Sequence, residues 1–306
     1  MRIVFAGTPI NAAKTLESLV IAGHTVVGVL TRADAPTGRN GLVTESPVAM
    51  AASSLGIPVM KSNQVDKSVL DWLSKLNPDL GVIVAYGCIL ASDALGIPKK
   101  GWVNLHYSLL PKYPGASPVQ HALLAGETET GVTVFQLDEG VDTGPILATK
   151  QTGILPDENA GELLERLTGV GSELLGQSLS EFDKQHSSRK HQEIITDRFV
   201  TRRINRAMAR LSFEVSAKEF VNKVRAMNPE PVAWCELDGV PIRVLEASIS
   251  DLSELTPGML KLVDSELVVG CLAGAVILKV LQPSGKKPMK GADWFRGLRR
   301  DSLFLS

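Results

Sequence analysis

Asn104 and His106 stand two residues apart in the run Gly101-Trp102-Val103-Asn104-Leu105-His106. If this run is a strand, alternate side chains share a face, which puts both on one side about 7 Å apart. An amide N–H beside an imidazole suits acyl transfer, where a negative oxygen develops as an amine attacks a carbonyl. Asp142 follows the β-type run Val132–Gln136 inside Leu137-Asp138-Glu139-Gly140-Val141-Asp142-Thr143-Gly144, a glycine-rich loop able to return a carboxylate to the imidazole. There it would favour the charged ring and relay the proton that the amine loses. Taken alone, the same residues also fit a strand end facing water and an ordinary turn aspartate.

The elements that must position them alternate. Short β-rich runs at Ile3–Ala6, Val26–Leu30 and Leu80–Ala85 are separated by helical patterns at Asn11–Ile21 and Val48–Leu55. This alternation predicts an α/β fold with a mostly parallel sheet and crossover helices. Ser46-Pro47 and Ser117-Pro118 mark two helix starts, since Ser accepts from free amides and Pro suits the first helical position. Gly126 is expected to close the second helix, and an apolar pattern predicts a further helix over Ala160–Phe182. After a polar, basic stretch, runs at Val232–Leu237, Ile242–Leu245, Leu267–Cys271 and Val276–Leu281 follow one helix at Ala217–Met227. Such short strands with turn residues between them predict a small closed barrel. The expected division is 1–185, a basic linker at 186–208, and 209–306.

The 306 residues carry a net charge of -1, which hides an asymmetry. Residues 1–185 hold 13 Lys and Arg against 19 Asp and Glu, whereas residues 186–306 hold 19 against 14. A basic C-terminal part on an acidic body suits a polyanionic partner, although such an imbalance also occurs as ordinary surface charge. Cys88, Cys235 and Cys271 are widely spaced, so neither a disulfide framework nor a metal site is expected, and no apolar run approaches membrane-spanning length. A soluble cytoplasmic protein is expected. His24 and His121 are read as structural or solvated, and Gly7-Thr8-Pro9 lacks the spaced glycines of a dinucleotide site.

Asn104-Leu105-His106, Ser108-Leu109-Leu110-Pro111, Gly115-Ala116-Ser117-Pro118 and Leu137–Gly144, in that order, resemble the folate-dependent formyltransferases. The segments Phe5-Ala6-Gly7-Thr8-Pro9, Ser46-Pro47-Val48, Val84-Ala85-Tyr86-Gly87 and Asn228-Pro229-Glu230-Pro231-Val232-Ala233-Trp234 are similar to the branch acting on methionyl-tRNA. The resemblance implies a doubly wound, Rossmann-like sheet followed by a smaller OB-like barrel. It implies that Asn104, His106 and Asp142 are catalytic. It further implies that Tyr86, Ser108, Leu109, Leu110, Pro111, Asp138 and Gly140 bind the folate. The formyl donor would be 10-formyltetrahydrofolate, the acceptor methionine-charged initiator tRNA, with no metal and a monomeric enzyme.

The chain departs from that pattern where the family contacts tRNA. In the loop 32–45, Arg32 and Arg39 are offset by Asp34 and Glu45, and Asn40-Gly41 stands where basic residues are usual. Arg39, Arg202, Arg203 and Arg206 remain the expected phosphate contacts. The linker lacks the usual Pro-Lys start, and Phe213 replaces a Trp. A formyltransferase with a small amine acceptor, a folate hydrolase and an idle RNA-binding relative are the competing readings. The basic C-terminal part argues against the first, and the assembled trio against the last.

Overall fold

A computed structural model describes residues 1–37, 41–192, 200–252, 254–300 and 303–306, without the side chains of Thr37 and Gln185. The chain forms two compact units. The first comprises Met1–Gly115, Thr130–Thr152 and Leu164–Val200, and the second comprises Ala116–Glu129, Gly153–Leu163 and Thr201–Ser306. Each is therefore built from three stretches of chain.

The first unit contains β1 (Arg2–Gly7), α1 (Ile10–Ile21), β2 (Thr25–Thr31), β3 (Ala35–Thr37), β4 (Leu42–Thr44), α2 (Pro47–Ser54), β5 (Val59–Lys61) and α3 (Lys67–Leu76). It continues with β6 (Leu80–Val84), α4 (Ser92–Leu95) and β7 (Trp102–His106). After α5 (Pro118–Leu124), which falls in the second unit, come β8 (Glu129–Gln136), β9 (Ile146–Gly153), α6 (Ala160–Ser180) and α7 (Phe182–Ser187). A seven-stranded sheet runs in the order β5-β2-β1-β6-β7-β8-β9. Pairing is parallel from β5 through β7 and antiparallel between β7 and β8. The alternating pattern predicts this mostly parallel sheet with crossover helices, and the family resemblance implies its doubly wound order.

Central strands of a parallel sheet are covered on both faces and so read as continuous apolar runs. Ile3, Val4, Phe5 and Ala6 of β1 are fully buried. Val4 and Ala6 share a core cluster with Val69 and Leu73 of α3, which places that helix against one face. Trp102 joins the same cluster because Gly81, on the neighbouring strand, has no side chain: a Cβ there would lie 2.1 Å from the indole. The indole N–H donates to the carbonyl of Ala94 at 2.9 Å.

Ser46 caps α2 as its type predicts, accepting the Ala49 amide at 3.0 Å. Ser117 does not cap α5. Its backbone is left-handed at φ 57°, and its hydroxyl instead accepts the Ile204 amide at 3.4 Å. Gly126 does close α5, with φ 69°.

In the second unit, α8 (Ala217–Met227) precedes β10 (Trp234–Leu237), β11 (Val240–Ser250), β12 (Met259–Val263), β13 (Glu266–Gly270), β14 (Ala275–Pro283) and β15 (Met289–Lys290). Then come α9 (Gly291–Leu298) and β16 (Leu303–Phe304). The sheet order is β10-β11-β14-β13-β12-β16. Just past β16, Ser306 donates to the Glu236 carbonyl at 2.9 Å, and Glu236 donates to that of Ser306 at 2.7 Å. These two bonds return the last strand to the first and bring the antiparallel sheet close to a closed barrel, removing the exposed edges that isolated strands would carry. Of the expected linker, residues 193–199 lie outside the described residues, and residues 200–206 form neither a helix nor a strand.

Candidate active site

Strand β7 carries Asn104 and His106. It pairs Asn104 with Phe135 and His106 with Thr133 on β8, so the alternation read from sequence holds. Asn104 is half-buried, and among the described residues no hydrogen bond engages its side chain. His106 is 6 % exposed, its ring edge-on to Phe135 with centroids 6.4 Å apart.

Both imidazole nitrogens face acceptors. Nε2 lies 2.9 Å from the Tyr113 carbonyl oxygen, and Nδ1 lies 3.6 Å from Asp142 Oδ2. A carbonyl can only accept, so Nε2 is the donor to Tyr113, while Nδ1 lies beyond hydrogen-bond range of the carboxylate and forms an ion pair with it only when the ring is protonated. The same Asp142 oxygen accepts the Gly115 amide at 2.6 Å. Charge-assisted bonds of this kind are short and strong.

Asp142 reaches His106 because its loop is tightly folded. Its own backbone is left-handed at φ 52°, a conformation unfavourable for a residue with a Cβ. Asp138 Oδ1 accepts the Gly140 amide at 3.0 Å and the Thr143 hydroxyl at 2.7 Å, stitching the loop internally. The Gln136 amide donates to the Pro145 carbonyl at 2.9 Å and closes its base. From outside, Gln192 Nε2 donates to the carbonyls of Asp142 at 3.0 Å and Gly144 at 2.8 Å. Nothing in the local sequence around Gln192 signals this, because the two sites are fifty residues apart and glutamine has no distinctive spacing.

The Ser108–Pro111 turn is fastened to β8. Thr133 donates its hydroxyl to the Ser108 carbonyl at 2.7 Å and accepts the Leu110 amide at 3.1 Å. The buried Ser108 hydroxyl donates to the Lys112 carbonyl at 2.6 Å. Leu110 is buried, while Leu109 and Pro111 are half-buried. Asp138 and Gly140 are exposed.

Tyr86 sits differently from a residue that offers its ring to a ligand. The side chain is 1 % exposed, lies in the core cluster and donates its hydroxyl to the Ser62 carbonyl at 3.2 Å. Burial pushes the phenol above its ordinary range.

The basic candidates fall into two groups. Arg39 lies outside the described residues. Arg202, Arg203 and Arg206 are exposed on the second unit. The guanidinium of Arg206 lies 5.7 Å from the Trp234 ring centre, and the ring's N–H donates to the Arg206 carbonyl at 2.9 Å. His121 Nε2 lies 3.0 Å from the Arg202 carbonyl, which gives that histidine a structural role.

Burial pushes the Cys235 thiol up to about 12 and the Cys271 thiol up to about 11, so both stay protonated. Among the described residues, no group of three or more His, Cys, Asp or Glu could hold a metal ion. No helix among them is long and apolar enough to cross a membrane.

Comparison with known proteins identifies the family. Residues 1–179 match the formyl transferase family, and residues 203–299 match its C-terminal domain. A methionyl-tRNA formyltransferase of Paenarthrobacter aurescens is 42% identical over 299 residues, covering 97% of each chain. One from Renibacterium salmoninarum is likewise 42% identical over 97% of each chain. The solved N-formyltransferase of Helicobacter canadensis, in complex with folinic acid and dTDP-3-aminofucose, superposes with a TM-score of 0.67. It covers 92% of this chain and 98% of its own at 19% identity, a likeness of fold alone.

Proposed function

Because the chain belongs to the formyl transferase family over both its catalytic and C-terminal parts, we propose that it formylates the α-amine of methionine-charged initiator tRNA, with 10-formyltetrahydrofolate as the donor. The donor is a substrate, consumed in each turnover. What carries the chemical reading is the seating of His106 between the Tyr113 carbonyl and Asp142, two residues along one strand from an uncommitted Asn104 amide. The free amine attacks the formyl carbon, forming the new C–N bond as the carbonyl electrons move onto oxygen. Asn104 donates to that oxygen, and the imidazolium of His106 supplies positive charge beside it. Asp142 holds the ring and helps move the proton from the attacking nitrogen to the folate nitrogen, whose bond to the formyl carbon breaks as the oxyanion collapses back to a carbonyl. An α-amine titrates near pH 8, so a useful fraction is already nucleophilic at neutral pH, and positioning and charge matter more than a strong base.

The Ser108–Pro111 turn, fixed to Thr133, provides rigid backbone groups and the Leu109 side chain for the folate. Asp138 and Gly140 act through the shape of their loop. Tyr86 contributes through the backbone around it, since its ring is committed to the core. Arg202, Arg203 and Arg206 on the second unit meet acceptor-stem phosphates. Each such contact makes binding salt-dependent, and losing one should lower the slope of log affinity against log salt by about 1.

The test is transfer of labelled formyl to methionine-charged initiator tRNA beside charged elongator tRNA. Selective transfer to the initiator is expected. Transfer to a small amine acceptor, with neither tRNA accepting, would overturn the proposed substrate.

A further inference from the structure

We propose that Gln192 is a positioning residue for formyl transfer, holding the loop that carries Asp142 in the one shape that brings its carboxylate to His106. This rests on the reading of Asp142 given above. Among the described residues, the Gln192 amide nitrogen has two carbonyl oxygens as partners, those of Asp142 and Gly144. An amide NH₂ has two hydrogens, and here each has its own acceptor, which fixes the orientation of the group.

The segment bearing Gln192 is itself anchored. Lys190 donates to the Ile146 carbonyl at 2.9 Å, and Ile146 donates to that of Lys190 at 2.7 Å. Residues 190–192 therefore lie as a strap along the start of β9, with the Gln192 side chain reaching back over the loop. The loop needs an external hold because Asp142 sits in a left-handed conformation and is flanked by glycine at 140 and 144. Its internal stitches from Asp138 end at Gly140 and Thr143, short of the Asp142 and Gly144 carbonyls. Gln192 takes up those two carbonyls, one on each side of Thr143. A shift there would pull the carboxylate from both His106 Nδ1 and the Gly115 amide.

Gln192→Glu keeps the size of the side chain but sets oxygen against two carbonyls, whereas Gln192→Ala simply removes the donor. Each is made in the full chain, alone and with Asp142→Asn. Steady-state kinetics are measured with both substrates, and thermal unfolding is followed alongside. With Asp142 intact, Gln192→Glu should lower kcat about tenfold or more while leaving KM for the donor within about twofold. With Asp142→Asn already present, it should add less than about twofold, because the group it positions is no longer there. Gln192→Ala should follow the same pattern with a smaller loss, and supplies the cycle if the Glu variant does not fold. An equal factor in both backgrounds would reduce Gln192 to a general structural role and overturn the proposal, as would an unchanged kcat with Asp142 intact. If Asp142→Asn alone leaves the rate unaltered, the reading of Asp142 fails first, a distinguishable result.

Discussion

The amide of Gly115 donates to Asp142 Oδ2 at 2.6 Å, and that same oxygen faces His106 Nδ1 at 3.6 Å. One carboxylate oxygen thus ties the segment following the Ser108–Pro111 turn to the imidazole on β7. Asp142 is 13 % exposed at its side chain, so these attractions act where water screens them weakly.

Replacing Asp142 with Asn tests that arrangement with little change of shape. The amide carries no charge, and its NH₂ cannot accept from Gly115. We expect kcat to fall by about 10²–10⁴, the usual range for removing a group that manages a proton. A rate close to that of the parent enzyme would leave Asp142 as a turn residue only.

Asn104 makes a separate claim. Its side chain is half-buried and uncommitted among the described residues, as a donor waiting for an oxyanion should be. Asn104→Ala should cost about 10²–10³ in kcat, the typical effect of losing one such donor. Single-turnover transfer measured at saturating donor separates this from weakened binding, and a change confined to KM would argue against the role.

Much of this was legible in the chain itself. The shared face of Asn104 and His106 follows from strand alternation, and the parallel sheet from the spacing of apolar runs. The helix at Ala217–Met227 has the bounds that its pattern predicts. Other features depend on distant partners that leave no local trace. Ser117 has the residue type of a cap, but its left-handed backbone turns the hydroxyl to Ile204. Barrel closure depends on Ser306 meeting Glu236 seventy residues earlier, and β3, β4 and β5 are each only three residues long, too short for a periodic signal. Tyr86 lies in a segment that matches the family, yet only packing shows that its ring belongs to the core.

Gly144 and Gly140 should respond unequally to alanine. A Cβ on Gly144 would lie 1.8 Å from the Gln136 carbonyl oxygen, a backbone atom at the loop's base. On Gly140 the nearest atom, at 2.0 Å, is the Thr143 hydroxyl oxygen, which can rotate away at the loss of its bond to Asp138. Gly144→Ala should therefore displace the Asp142 loop and cost about 10² or more in turnover, as a misplacement near 1 Å can. Gly140→Ala loses one hydrogen bond and should cost about tenfold at most. Comparable losses in the two variants would mean that the loop does not transmit the Gly144 clash to the site.

The second unit offers a pH test that is independent of catalysis. Ser216 and Glu219 form a capping box at the start of α8: the Ser216 hydroxyl accepts the Glu219 amide at 3.2 Å, and the Glu219 carboxylate accepts the Ser216 amide at 2.9 Å. The Ser216 hydroxyl, which also donates to that carboxylate, is the larger of the two influences holding the Glu219 carboxyl below its ordinary value of 4.5; the Ser216 amide is the other. A carboxyl whose pKa is lowered on folding binds its proton more weakly in the native state. Its contribution to stability is therefore fully present above 4.5 and is lost as pH falls through the lowered value. Ser216→Ala removes the larger influence and the cap together. Thermal unfolding should show the parent protein more stable than Ser216→Ala at about pH 5, with the gap narrowing towards about pH 3 as Glu219 takes up its proton. A gap that stays constant across that range would mean that the cap acts through the serine hydroxyl alone and that the carboxylate adds nothing to the folded state.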